Sequence, residues 1–405
     1  MIVLSNRIYF KYRDIDEIKN KLTYKYTKNQ EQLTFCDVKV ISPFVASIPI
    51  NRTNVLEYTE IKDKRVKIDV EYPEPKIKLR DNQPEVYKQA NDSCILNLPT
   101  GYGKTFILLH ILAKFNQKAL IVVDRIGLLK QWKEEIYKLF GFYPGIIQGK
   151  NKTITDNIIH VGTIQTLSKI NCINRFGLVA VDECHHAPSK TFLEFLNNNK
   201  ARYKFGLTAT MNRTDGLGKV IPDYIGKVIK PLDDTQLVPK VYIVEPDISL
   251  YYINKWSDTL DKLYSNEQYI ELVVELAEAC IENGYRTLVL CDRVDFLKTC
   301  GAILDDKCTV VTGTMGDKEE IRKYNCIFGS ISIFKEGIDI PELDTLILAS
   351  PISSEPLLEQ CIGRITRPVK DECRVFDIKL KRADTQFRNR ASVYIKKGCK
   401  INYLT

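Results

Sequence analysis

The chain has no C-x-x-C pair, only four histidines, two tryptophans and three methionines, and no apolar run long enough to cross a bilayer. Each absence narrows the reading. The twelve cysteines stand singly from Cys36 to Cys399, and Cys94, Cys291 and Cys361 fall inside apolar runs. They read as small core residues of a reducing compartment rather than as a disulfide framework. With four histidines, a zinc site would have to be assembled from distant parts of the chain. The opening "MIVLSNRIYFKYRD" turns polar at Asn6 and Arg7, too soon for a signal peptide or a membrane span, so an intracellular, soluble, unanchored protein is expected. No sequence repeat and no low-complexity tract is visible, which argues against a solenoid or a disordered array.

What is present is an ordinary globular composition. The 405 residues are 44% hydrophobic and 27% charged, enough for two or three domains with real cores. The net charge of +8 is compatible with a polyanionic partner without requiring one.

From Cys94 onward, short apolar runs alternate with helical patterns. "CILNLPTGYGKT" reads as a buried strand and a Gly loop, and "KALIVVDRIGLLKQWKEEIYKLFG" as a strand, a turn and an amphipathic helix ending at Gly141. "NIIHVGT", "FGLVAVDE" and "KFGLTAT" are further buried strands. Such alternation predicts a parallel sheet covered by helices. After Pro239 the pattern restarts: "SNEQYIELVVELAEACIENG" reads as a helix with a capping box at Ser265 and Gln268, and "RTLVLCD", "CTVVTG", "CIFGS", "LDTLILAS" and "CRVFDI" follow as strands. The expected hinge is Lys230 to Lys240, rich in Pro and Asp. Residues 1–78 differ: "IYFKYRD", "LTYKYTK" and "RVKIDVEY" alternate apolar or aromatic with basic residues, as strands of a small half-exposed sheet would, and "YPEPKIK" reads as a linker.

Two stretches carry chemistry on their own. "PTGYGKT" (Pro99 to Thr105) follows a strand and opens a helix. Backbone N–H groups around Thr100, Gly101 and Gly103 can surround phosphates, Lys104 can reach the β and γ phosphates, and the Thr105 hydroxyl can hold Mg²⁺. Leu98 stands where the full signature has its first Gly. "VAVDECHHAP" (Val179 to Pro188) gathers Asp182, Glu183, Cys184, His185 and His186. A zinc site there would need ligands from elsewhere, because neighbours on a strand point to opposite faces. An acidic pair at the end of a parallel strand lies instead on the edge where a phosphate loop sits. Asp182 then holds Mg²⁺ through water, Glu183 positions and deprotonates the attacking water, His185 is a polar coupling residue and His186 is structural.

With these two stretches in order, the chain resembles a superfamily 2 helicase over most of its length. The resemblance implies two tandem RecA-like α/β domains, parallel sheets flanked by helices, after a small α+β or mostly-β accessory domain. The expected boundaries are 1–78 for the accessory domain, 79–235 for the first RecA-like domain and 240–405 for the second. "LRDNQ" resembles the adenine-reading segment, with Gln83 on the base edge and Arg80 stacking on it or simply solvated. "VGTIQTL" resembles a strand-contacting motif, with Thr163 on a phosphate, and "LTAT" resembles the motif linking hydrolysis to motion, through Thr208 and Thr210. It continues to Arg213 and Asp215, which recur near DNA in some of these enzymes and equally read as an ion pair. "LVLCDR" implies a phosphate contact by Arg293. "SISIFKEGIDIP" implies that Gly337 and Asp339 face the ribose and the nucleic-acid backbone, with Ser330 where a threonine is commoner. "QCIGRITR" matches Q-x-x-G-R-x-x-R through Gln360, Gly363, Arg364 and Arg367, implying Arg367 as the finger and Arg364 as γ-phosphate sensor, one helical turn apart.

The details "DECHHAP", "GLTATMNRTDG" and "EGIDIPELDTLILASP" most resemble the DNA-directed branch, which includes phage recombination helicases, repair helicases of the xeroderma-pigmentosum group B type and restriction-enzyme motors. The resemblance implies ATP and Mg²⁺ as cofactors, and branched, forked or single-stranded DNA as the partner, held by its backbone. It also implies a monomer, a replication, recombination or transcription protein as companion, and, for a phage-encoded protein, the cytoplasm or nucleoid of a bacterial host. Tyr9, Lys11, Tyr12, Arg13, Tyr24, Lys25, Tyr26 and Lys28 read either as a DNA-binding face or as an ordinary half-buried sheet. The basic segment "KLKRADTQFRNRASVYIKK" reads as the last helix of the second domain. The competing readings are a motor on transcription complexes, the motor part of a nuclease cutting through Asp69, Glu74 and Lys76, and a non-catalytic clamp.

Overall fold

The computed structural model describes residues 1–28, 31–80, 82–99, 101–170, 173–186, 189–211, 215–231, 237–253, 255–312, 318–332, 340, 342–366 and 372–404. The chain divides into two compact units, residues 1–234 and 235–405.

The first unit begins with β1 (Ile2–Leu4), β2 (Ile8–Lys11), β3 (Thr23–Lys28), β4 (Glu31–Cys36), β5 (Lys39–Ser42), β6 (Val45–Ile48) and β7 (Ile61–Asp63). Five of these form a sheet in the order β5-β6-β2-β1-β7, and β3-β4 is a separate hairpin. Alternation in "IYFK" turns Ile8 and Phe10 into a small core with Ile2, Leu4, Leu22 and Ile48. This region is fastened to the rest of its unit by buried polar contacts. Arg7 pairs with Asp37 at 2.9 Å and donates to Asn197 Oδ1 at 2.6 Å. Tyr224 donates to Asp37, and Tyr24 to Asp223.

The expected strand "RVKIDVEY" does not form. Its polar backbone groups go to the motor domain instead: Val66 N–H to Lys200 O at 2.7 Å, Val70 N–H to Asn116 O at 3.0 Å, and Ile68 O receives Lys118 N–H at 2.7 Å. Nothing in its alternation separates pairing within a small sheet from strapping onto a larger one.

The larger sheet of the first unit comprises β8 (Cys94–Asn97), β9 (Ala119–Val123), β10 (Gly145–Ile147), β11 (Ile159–Thr163), β12 (Leu178–Val181), β13 (Tyr203–Thr208) and β14 (Lys227–Ile229), in the order β10-β11-β9-β12-β13-β8-β14. Its pairings are parallel. A continuous apolar strand is what burial on both faces demands. In β9, Ala119, Ile121 and Val123 join one core with Leu108, Trp132 and Ile136, while Leu120 and Val122 join the other with Phe192 and Phe195. The helix Ile126–Phe140 stops at Gly141, whose φ of 82° is open to glycine at little cost.

The second unit repeats the plan. It contains β15 (Lys240–Val244), β16 (Thr287–Cys291), β17 (Cys308–Val311), β18 (Cys326–Ser330), β19 (Thr345–Leu348), β20 (Arg374–Ile378) and β21 (Lys400–Leu404), in the order β17-β18-β16-β19-β20-β15-β21, again with parallel pairings. Position for position, β8 corresponds to β15, β9 to β16, β11 to β18 and β12 to β19. The α/β class, the two parallel-sheet domains and the N-terminal sheet are as the sequence implies. Lys240, placed in the hinge by composition, opens β15. The capping box is also corrected. Asn266 caps the helix Glu267–Glu282 by accepting from Tyr269 N–H, while the Ser265 hydroxyl turns back to Asp261 O at 2.8 Å and closes the preceding helix.

Candidate active site

The loop after β8 is shaped by two left-handed glycines, Gly101 (φ 83°) and Gly103 (φ 86°), and opens the helix Lys104–Phe115. A Cβ on Gly103 would lie 2.4 Å from Gln83 Nε2, so the position takes glycine for space as well as for dihedral. Gln83 clamps the loop: its Nε2 donates to Tyr102 O at 2.8 Å and its Oε1 accepts Arg80 N–H at 3.1 Å. The Arg80 side chain is exposed. Leu98, the departure from the phosphate-loop signature, is fully buried in the core beneath the loop. Lys104 Nζ lies 3.0 Å from Leu98 O, folded over the turn, and Thr105 follows in the first turn of the helix. Thr100 lies outside the described residues.

At the end of β12, Asp182 Oδ2 accepts the Trp132 indole N–H at 2.8 Å, and Oδ1 accepts Glu183 N–H at 3.0 Å. Burial, with the Glu183 charge beside it, raises the Asp182 carboxyl above the usual carboxylate range; Trp132 and Lys104 act in the opposite sense. Glu183 has φ 46°, a left-handed conformation that costs a non-glycine residue of order 1 kcal/mol or more and that concentrates at functional sites. Its Oε2 lies 3.1 Å from His185 Nδ1. The same Nδ1 is 3.0 Å from Thr208 Oγ1, while the Thr208 hydroxyl donates to Thr210 O at 2.7 Å and its oxygen accepts Thr210 N–H at 3.2 Å. With its own proton engaged, Thr208 Oγ1 can only accept from the imidazole, which assigns the proton to Nδ1. Glu183 thus lies in contact with His185, and His185, Thr208 and Thr210 form a hydrogen-bonded path to the end of β13. Cys184 Sγ faces the core, where it would meet a Cβ on Gly206 at 2.8 Å.

The strand-contact candidates are more varied. Thr163 is buried at the end of β11, with its hydroxyl 2.9 Å from Thr166 Oγ1. Ser330, at the corresponding end of β18, is buried with its hydroxyl 3.1 Å from Ser332 Oγ. Arg293, at the end of β16, bonds Asp261 at 2.6 Å and Asp292 at 3.1 Å. The helix Glu355–Ile362 carries Gln360, whose buried Oε1 has no hydrogen-bond partner among the described residues. Arg364 does not sit on that helix as its spacing suggested. The chain tightens after Gly363, with Arg364 N–H reaching only to Cys361 O at 3.1 Å, so Arg364 lies in a turn. Arg213, Gly337, Asp339 and Arg367 lie outside the described residues.

Sequence reasoning missed Trp132. "QW" was visible, but a tryptophan on an apolar helical stripe reads as core. It is core, at 2% exposed, and only its N–H is spent on the acidic pair.

The family described as "Type III restriction enzyme, res subunit" matches residues 69–213, and the "Helicase conserved C-terminal domain" matches residues 268–369. "Probable helicase D10" of Escherichia phage T5 is 33% identical, the alignment covering 100% of this chain and 96% of that protein. "ATP-dependent DNA helicase uvsW" of Enterobacteria phage T4 is 27% identical over 78% of this chain and 70% of its own length. Among solved structures, Saccharomyces cerevisiae Dbp5 bound to RNA and ADP BeF3 superposes with a TM-score of 0.58 at 12% identity, covering 81% of this chain and 90% of that one, a likeness of fold. A phosphate loop and an acidic pair at the ends of parallel strands, on a sheet order that recurs in the second unit, agree with these matches, and the chain belongs to the superfamily 2 helicases.

Proposed function

We propose that this ATP-driven helicase works on DNA and remodels branched or forked substrates in replication, recombination or repair. The observation that carries the reading is the path from Glu183 through His185 and Thr208 to Thr210. Beyond it, Asp215 O accepts Thr27 N–H from the β3-β4 hairpin at 3.0 Å. The N-terminal region, where Lys11, Arg13 and Lys25 are exposed, is thus bonded to the segment that follows the hydrolysis motif. Tyr24 is taken out of the proposed DNA face, since its hydroxyl bonds Asp223 and its ring stacks on Phe35. The phage T4 relative is named a DNA helicase, and the fold itself serves RNA in Dbp5.

In this reading Lys104 holds the β and γ phosphates, and Gln83 keeps the loop open around them. Glu183, in contact with the His185 ring, takes the proton of the attacking water. Arg364 and Arg367 stabilise the transferred charge, and Gln360 offers an acceptor. The paired carboxylates and the raised Asp182 suit a divalent cation, and Asp182 with Thr105 would hold Mg²⁺. When bound, that ion supplies positive charge to the phosphate oxygens. Thr163, Arg213, Arg293 and Ser330 are assigned to the strand backbone. Against a nuclease, Asp69 is engaged by Gln117 Nε2 at 2.5 Å.

The test is ATP-dependent processing of a labelled four-way junction and a fork, followed on native gels. Conversion of the junction to forked products is expected. Activity confined to RNA duplexes would sink the DNA assignment, and cutting of the strands would return the nuclease reading.

A further inference from the structure

Of the two tryptophans, Trp132 supports the acidic pair and Trp256 is 42% exposed. Trp256 opens the helix Trp256–Tyr264, and the segment before it exposes Tyr251 at 53% and Tyr252 at 58%. This segment follows β15, so it occupies in the second unit the place that the phosphate loop occupies after β8 in the first. That is a strand C-terminal edge, where open α/β sheets take their ligands.

The patch is built rather than incidental. The rings of Tyr252 and Trp256 lie 5.8 Å apart at 35°. Lys262 Nζ and the Arg382 guanidinium lie 5.2 Å and 5.3 Å from the centroid of Tyr251. Arg382 holds a φ of 64°, a left-handed conformation suited to glycine or asparagine, and in it delivers its charge to that ring. Leu250 N–H bonded to Lys381 O at 2.8 Å fixes the two segments side by side. Lys255, Lys262 and Arg382 are exposed and form no ion pair among the described residues. The local carboxylates are occupied: Asp261 by Arg293, Asp247 by Lys381, and Asp258 by the Ser257 hydroxyl. Arg293 also reaches Ser257 O at 3.4 Å, which joins the candidate phosphate contact to the same helix.

We propose that this patch is a platform for single-stranded DNA. Tyr252 and Trp256 take unpaired bases on their faces, and Lys255, Lys262 and Arg382 take the flanking phosphates. Tyr251 is the anchor that holds two of those cations in place. Interleaved cations and open rings are the sequence-tolerant means of gripping a single strand. The assignment rests on the DNA-motor reading above and adds the surface that holds the strand.

Tryptophan emission tests it directly in the full chain. Oligothymidylate is expected to quench the wild-type protein, and Trp256→Phe to lose that quench, because Trp132 is buried. Arg382→Gly relaxes the backbone while removing a cation. It should keep or raise the melting temperature yet raise the oligothymidylate concentration for half-maximal ATPase stimulation. Tyr252→Ala with Trp256→Ala should raise that concentration about tenfold or more. A quench that survives in Trp256→Phe, equal quenching by blunt duplex, or an unchanged half-maximal concentration in both variants would overturn the platform. If wild-type ATPase ignores every nucleic acid while the quench is present, the motor reading fails and the platform stands.

Discussion

At the end of β12 stand Asp182 and Glu183; at the corresponding end of β19 stand Ala349 and Ser350. The loop after β8 binds phosphate in the proposed scheme, and the segment after β15 displays aromatic rings. Other positions match. Asp124 and Arg125 after β9 form an ion pair at 3.3 Å, as Asp292 and Arg293 do after β16, and Thr163 after β11 has its counterpart in Ser330 after β18. The difference teaches a division of labour. The polar groups assigned to strand contact recur in both sheets, whereas the carboxylates for hydrolysis and the His185–Thr208 path occur in one. Ser350 instead receives Asp292 N–H at 3.1 Å and bonds Tyr264 Oη at 2.8 Å, so it steadies the segment before Arg293.

The comparison breaks most sharply at Glu183. Glu183→Gln should lower ATP turnover by about 10²–10⁴-fold while the protein still binds nucleotide, because it removes a general base and keeps the shape. Ser350→Ala, at the matching position, should change turnover little; steady-state hydrolysis of the two variants decides whether the chemistry belongs to one sheet.

The next largest effect concerns a feature the units share. Each carries a fully buried arginine–aspartate pair: Arg7 with Asp37, and Arg390 with Asp377 at 2.8 Å. Asp37→Ala and Asp377→Ala should each cost roughly 3–5 kcal/mol, since each strands a buried guanidinium. Denaturant unfolding followed at Trp132 and Trp256 should show the first loss in the first unit and the second in the other.

A smaller effect is expected from Trp132→Phe. The ring keeps most of its packing and Asp182 loses a donor, so ATP turnover should fall about 10–100-fold, the usual cost of removing a partner of a metal-binding carboxylate. An unchanged rate would mean that Trp132 is core and nothing more.

These contrasts show why some of the molecule is legible in sequence and some is not. Apolar strands such as "ALIVV" and "TLIL" announce buried parallel sheets by composition, and "PTGYGKT" and "DECH" carry the residue types of a phosphate loop and an acidic pair. The duplicated strand order leaves no sequence repeat, because each core accepts any apolar residue of suitable volume. Extended backbone looks alike whatever its partner, so the alternation at residues 65–72 does not tell a strap from a strand. The Glu183–His185–Thr208 path joins residues far apart in the chain. Each member is a candidate by residue type, but their contacts follow from packing β12 beside β13. Trp132 and the patch around Trp256 were missed for opposite reasons, one hidden in a helical stripe and the other lacking a motif.

The smallest effect is a pH dependence in the first unit. Lys204 is buried on β13 with Nζ 3.2 Å from Leu196 O, and burial, with Arg65 and Arg7 nearby, lowers its pKa to about 7. The unfolded chain then binds the extra proton between about pH 7 and pH 10, so stability should rise with pH across that window and lose no more below it. Lys204→Met should be more stable near neutrality, and its advantage should shrink as pH rises. A wild-type minus variant difference that is flat in pH would show that Lys204 is not held neutral by the fold.

The most direct test of the central claim, an ATP-driven motor that responds to branched DNA, is ATP hydrolysis by the purified chain. It should be measured without nucleic acid and with single-stranded DNA, linear duplex, a fork, a four-way junction and single-stranded RNA, with Lys104→Ala as the inactive control. The account predicts stimulation by the fork and junction above linear DNA, abolished in the control. Equal stimulation by every polyanion, or preference for RNA, would contradict it.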